Sequence, residues 1–350
     1  MKKMLALLLA LVMVLSLAAC ASSQPATTDA AASTETAETT ETTEPAAEES
    51  AEAPAESGKT YTVGVCQLVQ HEALDAATQG FVDALKEELG DAVTVDVQNA
   101  SGDSVNCGTI VNGFVSKGVD LIMANATPAL TAAVSATADI PILGTSITAY
   151  GVALDIDDFN GTVGGNVSGT SDLADLQAQA QMILDWFPET KTVGLLFCSA
   201  EPNSRYQIDE VRKALEAQGV TCEEFAFTDS NDVSSVTQKA ADFSDVVYIP
   251  TDNTAASNTE AIANVLIPAG VPAICGEEGL CRGCGVATLS ISYYDLGVTT
   301  GKMAAKILKG EADISEMPVE YFQGPVKKFN KDMAEKLNVT IPDEYVAIED

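Results

Sequence analysis

From Tyr61 onward, short apolar runs alternate with stretches in which apolar residues recur every three to four positions. The runs predict buried strands and the stretches predict amphipathic helices. The first unit is a strand over Tyr61–Leu68 and a helix over Glu72–Leu89, with Leu74, Ala77, Phe81, Leu85 and Leu89 on one face. Strand Val93–Gln98, helix Val105–Lys117 closed by Gly118, strand Val119–Ala124, helix Pro128–Ala138 and strand Ile140–Gly144 follow. Continuous apolar strands alternating with helices point to a parallel sheet covered on both faces, an α/β architecture.

The stretch from Thr145 to Thr170 breaks the rhythm, being rich in Gly, Thr, Asn and Asp, and is expected to carry the chain between two lobes. The alternation then restarts with helix Asp172–Phe187, strand Thr192–Cys198, helix Asn203–Gln218 and strand Val220–Phe227. Helix Val233–Ala241, strand Asp245–Pro250, helix Thr254–Ala269 and strand Val271–Gly276 complete a second array. A short run, Val286–Ile291, precedes helix Tyr294–Leu308, strand Val319–Phe322 and a short helix near Asp332–Leu337. The expected division is a first lobe of residues 60–168 plus about 292–325, to which the chain returns near Ile291–Tyr294. The second lobe spans residues 169–291, and residues 326–350 form an extension packed on the lobes.

The N-terminal residues change the picture. Lys2 and Lys3 precede an unbroken apolar run from Met4 to Leu15, and Leu17-Ala18-Ala19-Cys20 supplies small residues ending in cysteine. The run is too short to span a bilayer and reads as a secretory signal over residues 1–19. The Leu-Ala-Ala-Cys end resembles a bacterial lipobox, which makes Cys20 a diacylglycerol-bearing membrane anchor. Residues 21–59 contain no Val, Ile, Leu, Met, Phe, Tyr or Trp. Such a segment has nothing to bury and is expected to be a disordered tether, spanning roughly 35 Å.

The chain carries a net charge of −33. The signal contributes +2 and the tether −8, which leaves −27 on the remainder. That balance excludes a nucleic-acid partner, which requires a basic footprint. Cys66, Cys107, Cys198, Cys222, Cys275, Cys281 and Cys284 remain after Cys20, and an odd number cannot all pair within one chain. Unpaired thiols in an exported protein fit an anaerobic cell. Cys281-Arg282-Gly283-Cys284 is read as lying in a Gly-rich loop. One such pair alone supports neither zinc nor redox chemistry.

Ligands of open parallel sheets bind beyond the carboxyl ends of the strands, beside helix N-termini. Those positions are polar here. Gln67 and His71 follow the first strand, Asn125 and Thr127 the third, and Thr145, Ser146 and Thr148 the fourth. In the second array the positions hold Ser199, Glu201, Asn203 and Ser204, then Thr251, Asp252, Asn253 and Thr254, then Glu277 and Glu278. Hydroxyls and amides at helix starts suit a carboxylate, which gains from exposed N–H groups and the helix dipole. An acid such as Asp252 or Glu277 opposite would hold an ammonium, so the set complements a zwitterionic amino acid. The same residue types cap helices, and capping is the alternative for each one singly. Tyr293 and Tyr294 either stack on a ligand or form the hinge core, with one of the pair expected at the ligand. His71 is the sole histidine, so any hydrolase triad or zinc site would pass through it, and no serine nucleophile elbow accompanies it. No enzymatic activity, cofactor or metal is expected.

Several of these segments also resemble one family. They are Gly64-Val65-Cys66-Gln67-Leu68-Val69-Gln70-His71, Gly169-Thr170-Ser171-Asp172, Glu201-Pro202-Asn203-Ser204, Pro250-Thr251-Asp252-Asn253-Thr254, Gly276-Glu277-Glu278-Gly279 and Tyr293-Tyr294-Asp295-Leu296-Gly297. Their joint order, over about residues 61–325, resembles the ABC-transporter substrate-binding lipoproteins that include tryptophan- and tyrosine-binding members. The resemblance implies a type I periplasmic-binding-protein fold, with two Rossmann-like lobes and three hinge crossings. It carries the cleft role to Gln67, His71, Asn125, Thr127, Thr170, Ser171, Ser199, Asn203, Ser204, Asp252, Asn253 and Glu277. The chain departs from the family at Ser146-Ile147-Thr148-Ala149-Tyr150, where members commonly show a Val-Thr-Asp-Pro-like segment. The expected function is capture of a small polar ligand, an amino acid and in particular an aromatic one, for an importer whose permease and ATPase are separate chains. The expected protein is monomeric and extracytoplasmic. A ligand-sensing receptor of the same fold, or an importer component for a sugar, nucleoside or peptide, is the alternative.

Overall fold

The computed structural model describes residues 58–349. The signal segment, the lipidation site Cys20 and the tether as far as Ser57 lie outside the described residues. In the first half the elements are β1 (Tyr61–Gln67), α1 (Glu72–Leu89), β2 (Val93–Asn99), α2 (Ser104–Lys117), β3 (Leu121–Asn125), α3 (Thr127–Ala136), β4 (Ile142–Ile147), α4 (Tyr150–Ala153) and β5 (Val167–Ser171). The second half runs α5 (Leu176–Trp186), β6 (Thr192–Cys198), α6 (Pro202–Glu216), β7 (Thr221–Phe227), α7 (Val233–Phe243), β8 (Val246–Ile249), α8 (Asn253–Ala256), α9 (Thr259–Ala269), β9 (Ala273–Cys275), α10 (Glu278–Cys284) and β10 (Ala287–Ser290). The chain ends with α11 (Tyr293–Lys309), β11 (Glu320–Tyr321), β12 (Val326–Phe329), α12 (Lys331–Lys336) and β13 (Val346–Ala347). None of the described helices is long and apolar enough to cross a membrane.

Two sheets organise these elements. The first has the order β11-β5-β4-β3-β1-β2, and the second β13-β12-β10-β9-β8-β6-β7. All pairings are parallel except β12 against β10. In the first lobe the inner strands β1, β3 and β4 are buried on both faces, and their alternation splits the core in two. Val63, Val65, Leu121, Met123 and Leu143 meet Phe81 and Leu85 of α1 and Met303 and Leu308 of α11. Cys66, Ile122, Ala124 and Ile142 meet Val111 and Phe114 of α2 and Leu130 of α3. One strand therefore serves two cores, which is why its sequence reads as an uninterrupted apolar run. The second lobe buries a single large cluster from Leu176 to Met333.

The structure corrects one domain boundary. The stretch Thr145–Thr170 is not an inter-lobe passage, because it contains the end of β4, the turn of α4 and most of β5. A boundary at residue 168/169 would cut β5, which pairs with β4 and belongs to the first sheet. The sequence of β5, Val-Ser-Gly-Thr-Ser, lacks the apolar signature of a strand yet is wholly buried. Side-chain bonds make that burial tolerable: Ser168 donates to the Met317 carbonyl at 3.0 Å, and Ser171 to the Thr148 carbonyl at 3.0 Å. Residues 326–350 pack on the second lobe. β12 and β13 extend the second sheet, and Trp186 packs edge-on against Tyr345 at 5.0 Å between ring centroids. The chain thus passes between sheets after β5, after β10 and after β11.

Candidate functional site

The ends of β4, β5, β8 and β9 and the starts of α1, α6, α8, α10 and α11 meet between the lobes. There they enclose a cavity of about 10 Å³ lined by His71, Ala73, Leu74, Ser146, Thr148, Asp172, Asn203, Thr251, Asp252, Asn253, Ala256, Glu277 and Tyr293. Nine of the residues expected from sequence are in this wall: His71, Ser146, Thr148, Asn203, Thr251, Asp252, Asn253, Glu277 and Tyr293. The lobes touch around it. The Asn253 amide oxygen lies 3.2 Å from His71 Nε2, and Arg282 pairs with Glu72 at 3.1 Å.

Four of these residues hold a buried polar atom with no hydrogen-bond partner among the described residues: His71 Nδ1, Ser146 Oγ, Asp172 Oδ1 and Asn203 Oδ1. Native interiors rarely leave such groups unpaired, since each costs about 1–3 kcal/mol. Their chemistry follows from their neighbours. Asn253 Nδ2 donates to Glu201 at 2.6 Å, so its oxygen faces His71 Nε2, to which the proton is assigned. Burial holds the imidazole pKa below its ordinary value, which leaves Nδ1 of a neutral ring as an acceptor. Asn203 Nδ2 donates to Glu201 and to the Thr251 carbonyl, both at 3.2 Å, so its free oxygen is an acceptor too. Asp172 takes the Tyr293 hydroxyl on Oδ2 at 2.9 Å and keeps Oδ1 free, while burial raises its pKa. Three acceptors and one hydroxyl therefore converge on a space that complements a donor, and a cation most of all.

Donors lie on the same wall. No side chain caps α1, whose first turn contributes Ala73 and Leu74, so its amide N–H groups lack intrahelical acceptors. Ser146 sits beside them in the left-handed region, at φ 55°, where the register of β4 against β5 shifts. Bulges of this kind re-aim side chains, and a strained non-glycine residue persists only where its surroundings over-determine it.

The acids expected to hold an ammonium serve otherwise. Asp252 caps α8 by accepting from Ala255 N at 2.8 Å and takes Cys198 N at 2.6 Å on its other oxygen. Glu277 caps α10, accepting from Gly279 N at 2.6 Å and Leu280 N at 2.5 Å, and burial pushes its pKa up to about 7. Asp172 is the carboxylate left free. The sequence reading took it for the start of a helix, but the cap of α5 is Asp175, which accepts from Ala178 N at 3.0 Å. Two acids three positions apart before one helix were the available signal, since only one of them can cap.

The other expected residues lie outside the cavity wall. Gln67 is held by Thr78, Asp75 and the Val69 carbonyl, and Asn125 donates to the Leu74 carbonyl at 2.8 Å and to Thr78. Thr127 is buried in the first turn of α3. Thr145 and Thr170 join Thr300 in a buried hydroxyl cluster at 2.9–3.2 Å. Ser171 turns the first crossing, Ser199 donates to the Phe227 carbonyl at the surface, and Ser204 bonds Asn203. Thr254 donates to Glu201, whose carboxylate takes the N-terminal amides of α8. Tyr294 turns away to Asp83 at 3.2 Å. Cys281 and Cys284 lie on α10, not in a loop. Burial pushes the Cys275 and Cys281 thiols well above their usual pKa, which suits inert core residues rather than nucleophiles.

Comparison with known proteins agrees with this architecture. The sequence profile of the family described as ABC transporter substrate binding protein matches residues 62–349. The tyrosine-binding protein of Clostridioides difficile (strain R20291) is 31% identical over 290 residues, which cover 81% of this chain and 83% of that protein. A crystal structure from Streptococcus pneumonia of an ABC domain in complex with L-Trp is 34% identical, covers 81% of this chain and 97% of its own, and superposes with a TM-score of 0.78. A ligand-free, open structure of a Clostridium difficile substrate binding protein with adhesive properties is also 34% identical, over 83% of this chain and 100% of its own, but its TM-score is 0.63. The better match to the liganded relative accords with lobes that meet across the cleft. These relatives are substrate-binding proteins rather than enzymes. The chain belongs to the ABC transporter substrate binding protein family.

Proposed function

We propose that this protein is the lipid-anchored, extracytoplasmic component of an ABC importer and that it captures an L-amino acid with an aromatic side chain between its lobes. The observation that carries the reading is the convergence of unpartnered acceptors around Asp172, opposite the uncapped start of α1. The ammonium binds Asp172 Oδ1 with His71 Nδ1 and Asn203 Oδ1, and the carboxylate binds the Ala73 and Leu74 amides with the Ser146 hydroxyl. Relatives that bind tyrosine and L-Trp support the aromatic class. Cys20 and the tether of residues 21–59 support anchoring to the cell membrane, with a permease and an ATPase as partner chains. The 10 Å³ cavity has room for about one water, so the lobes part to admit the ligand and close on it by hinge motion.

Titration calorimetry with tryptophan, tyrosine and phenylalanine tests the assignment. Saturable one-to-one binding and a raised melting temperature are expected for at least one of them, and silence with all three refutes it. Ser146→Gly offers a sharper signature. Glycine relieves the left-handed strain and should stabilise the ligand-free protein by roughly 0.5–1 kcal/mol. Loss of the hydroxyl should weaken binding by about 5- to 30-fold. Ser146→Ala should weaken binding equally without the gain in melting temperature.

A further inference from the structure

The polar cavity anchors a head group but cannot hold a ring. A second cavity of about 310 Å³ adjoins it on the hinge side and shares Ala73, Glu277 and Tyr293 with its wall. Its volume lies within the range of small-molecule sites, which are mostly apolar with a few polar groups. The further walls are Ala76 of α1, Ile291 and Tyr294 at the second crossing, and Phe322 at the third. Ala73, Ala76, Tyr293, Ile291 and Phe322 belong to one small apolar cluster, distinct from the main cores of both lobes. At the far end Glu278 accepts from Ser290 Oγ at 2.5 Å and from Lys328 Nζ at 2.7 Å. A larger crevice of about 590 Å³ opens on the other side of the cleft, but it shares only Asn253 with the polar cavity and is walled mainly by hydroxyls and acids.

We propose that the hinge-side cavity is the side-chain subsite, and that Ala76 and Phe322 determine which side chain the protein accepts. This deepens the amino-acid reading and rests on it. Tyr293 reaches both ends of the ligand: its hydroxyl is bonded to Asp172, which takes the ammonium, and its ring borders the space for the side chain. A ring seated there touches the second and third crossings together, so side-chain identity is read where the lobes hinge. At the far end both Glu278 oxygens are taken, by Ser290 and Lys328 and by Arg282, and Ser290 Oγ, which gives its proton to Glu278, keeps a lone pair that suits a ring bearing a donor, such as a phenol or an indole.

The test compares tryptophan, tyrosine and phenylalanine affinities, by calorimetry, for the wild type and three variants. Ala76→Trp fills the proposed subsite, Phe322→Ala removes its wall, and Ser230→Trp fills the rival crevice. Ala76→Trp should lose at least about 50-fold in affinity for the preferred ligand, and Phe322→Ala about tenfold. Ser230→Trp should stay within about threefold. Retained binding in Ala76→Trp, or loss confined to Ser230→Trp, overturns the subsite. Should Ala76→Trp fail to fold, as judged by circular dichroism, Phe322→Ala decides, and an unchanged affinity there overturns the proposal. A wild type that binds none of the three amino acids instead defeats the amino-acid reading itself.

Discussion

Replacing Asp172 with asparagine should all but remove amino-acid binding while making the ligand-free protein more stable at neutral pH. Asp172 is buried, receives the Tyr293 hydroxyl on one oxygen and has no hydrogen-bond partner among the described residues on the other. Removing one partner of a buried ion pair costs about 3–5 kcal/mol. At 1.4 kcal/mol per decade, affinity should fall by at least about 100-fold. The stability change has the opposite sign. Burial raises the folded-state pKa of this carboxyl above its unfolded value, so the folded protein holds the proton more tightly. That contribution to stability is full below the unfolded carboxyl pKa and is lost as pH rises through the raised folded value. Asparagine does not titrate, so the variant should lack this decline. An arriving ammonium favours the ionised carboxylate, so wild-type affinity should fall as pH drops through the ligand-free pKa of Asp172. Melting curves and calorimetry between acid and neutral pH measure both effects. A variant that binds normally, or keeps the wild-type pH dependence of binding, removes Asp172 from the site.

Gly297→Leu should be the most damaging single change in the first lobe. Helices α1 and α11 cross with their backbones in contact, and glycines make the approach possible. A Cβ on Gly297 would fall inside the Ala77 carbonyl, and one on Gly80 inside the Tyr294 carbonyl. A Cβ on Gly301 would meet the Phe81 carbonyl oxygen at 2.7 Å. The obstacle is backbone rather than a flexible side chain, so the helices must separate and unpack Phe81, Leu85, Met303 and Leu308 beneath them. Overpacking of this kind costs about 3 kcal/mol or more. In a protein of this size, that lowers the melting temperature by roughly 6–12 °C. Ligand binding should weaken too, because α11 begins with Tyr293. The contrast is Gly108→Ala on α2, where an added Cβ meets nothing within 4 Å. There the helix should gain up to about 1 kcal/mol. Thermal unfolding followed by circular dichroism separates the two, and similar melting temperatures for both variants would disprove the close-contact account.

What could be read in advance followed burial. Helix α1 runs from Glu72 to Leu89 as its periodicity predicts, because one face packs on a core and the other meets water. Likewise β6 spans Thr192–Cys198 as predicted, since burial of six of its seven residues forces an apolar run. Strand β5 escaped notice for the converse reason: its partners are hydroxyl and carbonyl groups distant in sequence, such as Met317. The expected helix Thr254–Ala269 is divided after Ala256, where the Asn258 side chain bonds the Thr254 carbonyl at 2.7 Å. Local competition between side chain and backbone is poorly visible to periodicity.

The site divides along the same line. Composition and spacing placed polar residues at the strand ends, since a parallel sheet opens its helix starts there. By itself the sequence therefore determined two βα arrays, their apolar cores and the edge at which a ligand meets them. Tertiary structure alone decided which of those polar groups is free. Asp252, Glu277 and Asp172 are alike as carboxylates, but the first two face amides of α8 and α10 and the third does not. A hydrogen bond is fixed by the position of its partner: neighbouring amides at Ala255, Gly279 and Leu280 occupy Asp252 and Glu277, whereas the partner of Asp172, Tyr293, is brought to it only by the folded chain.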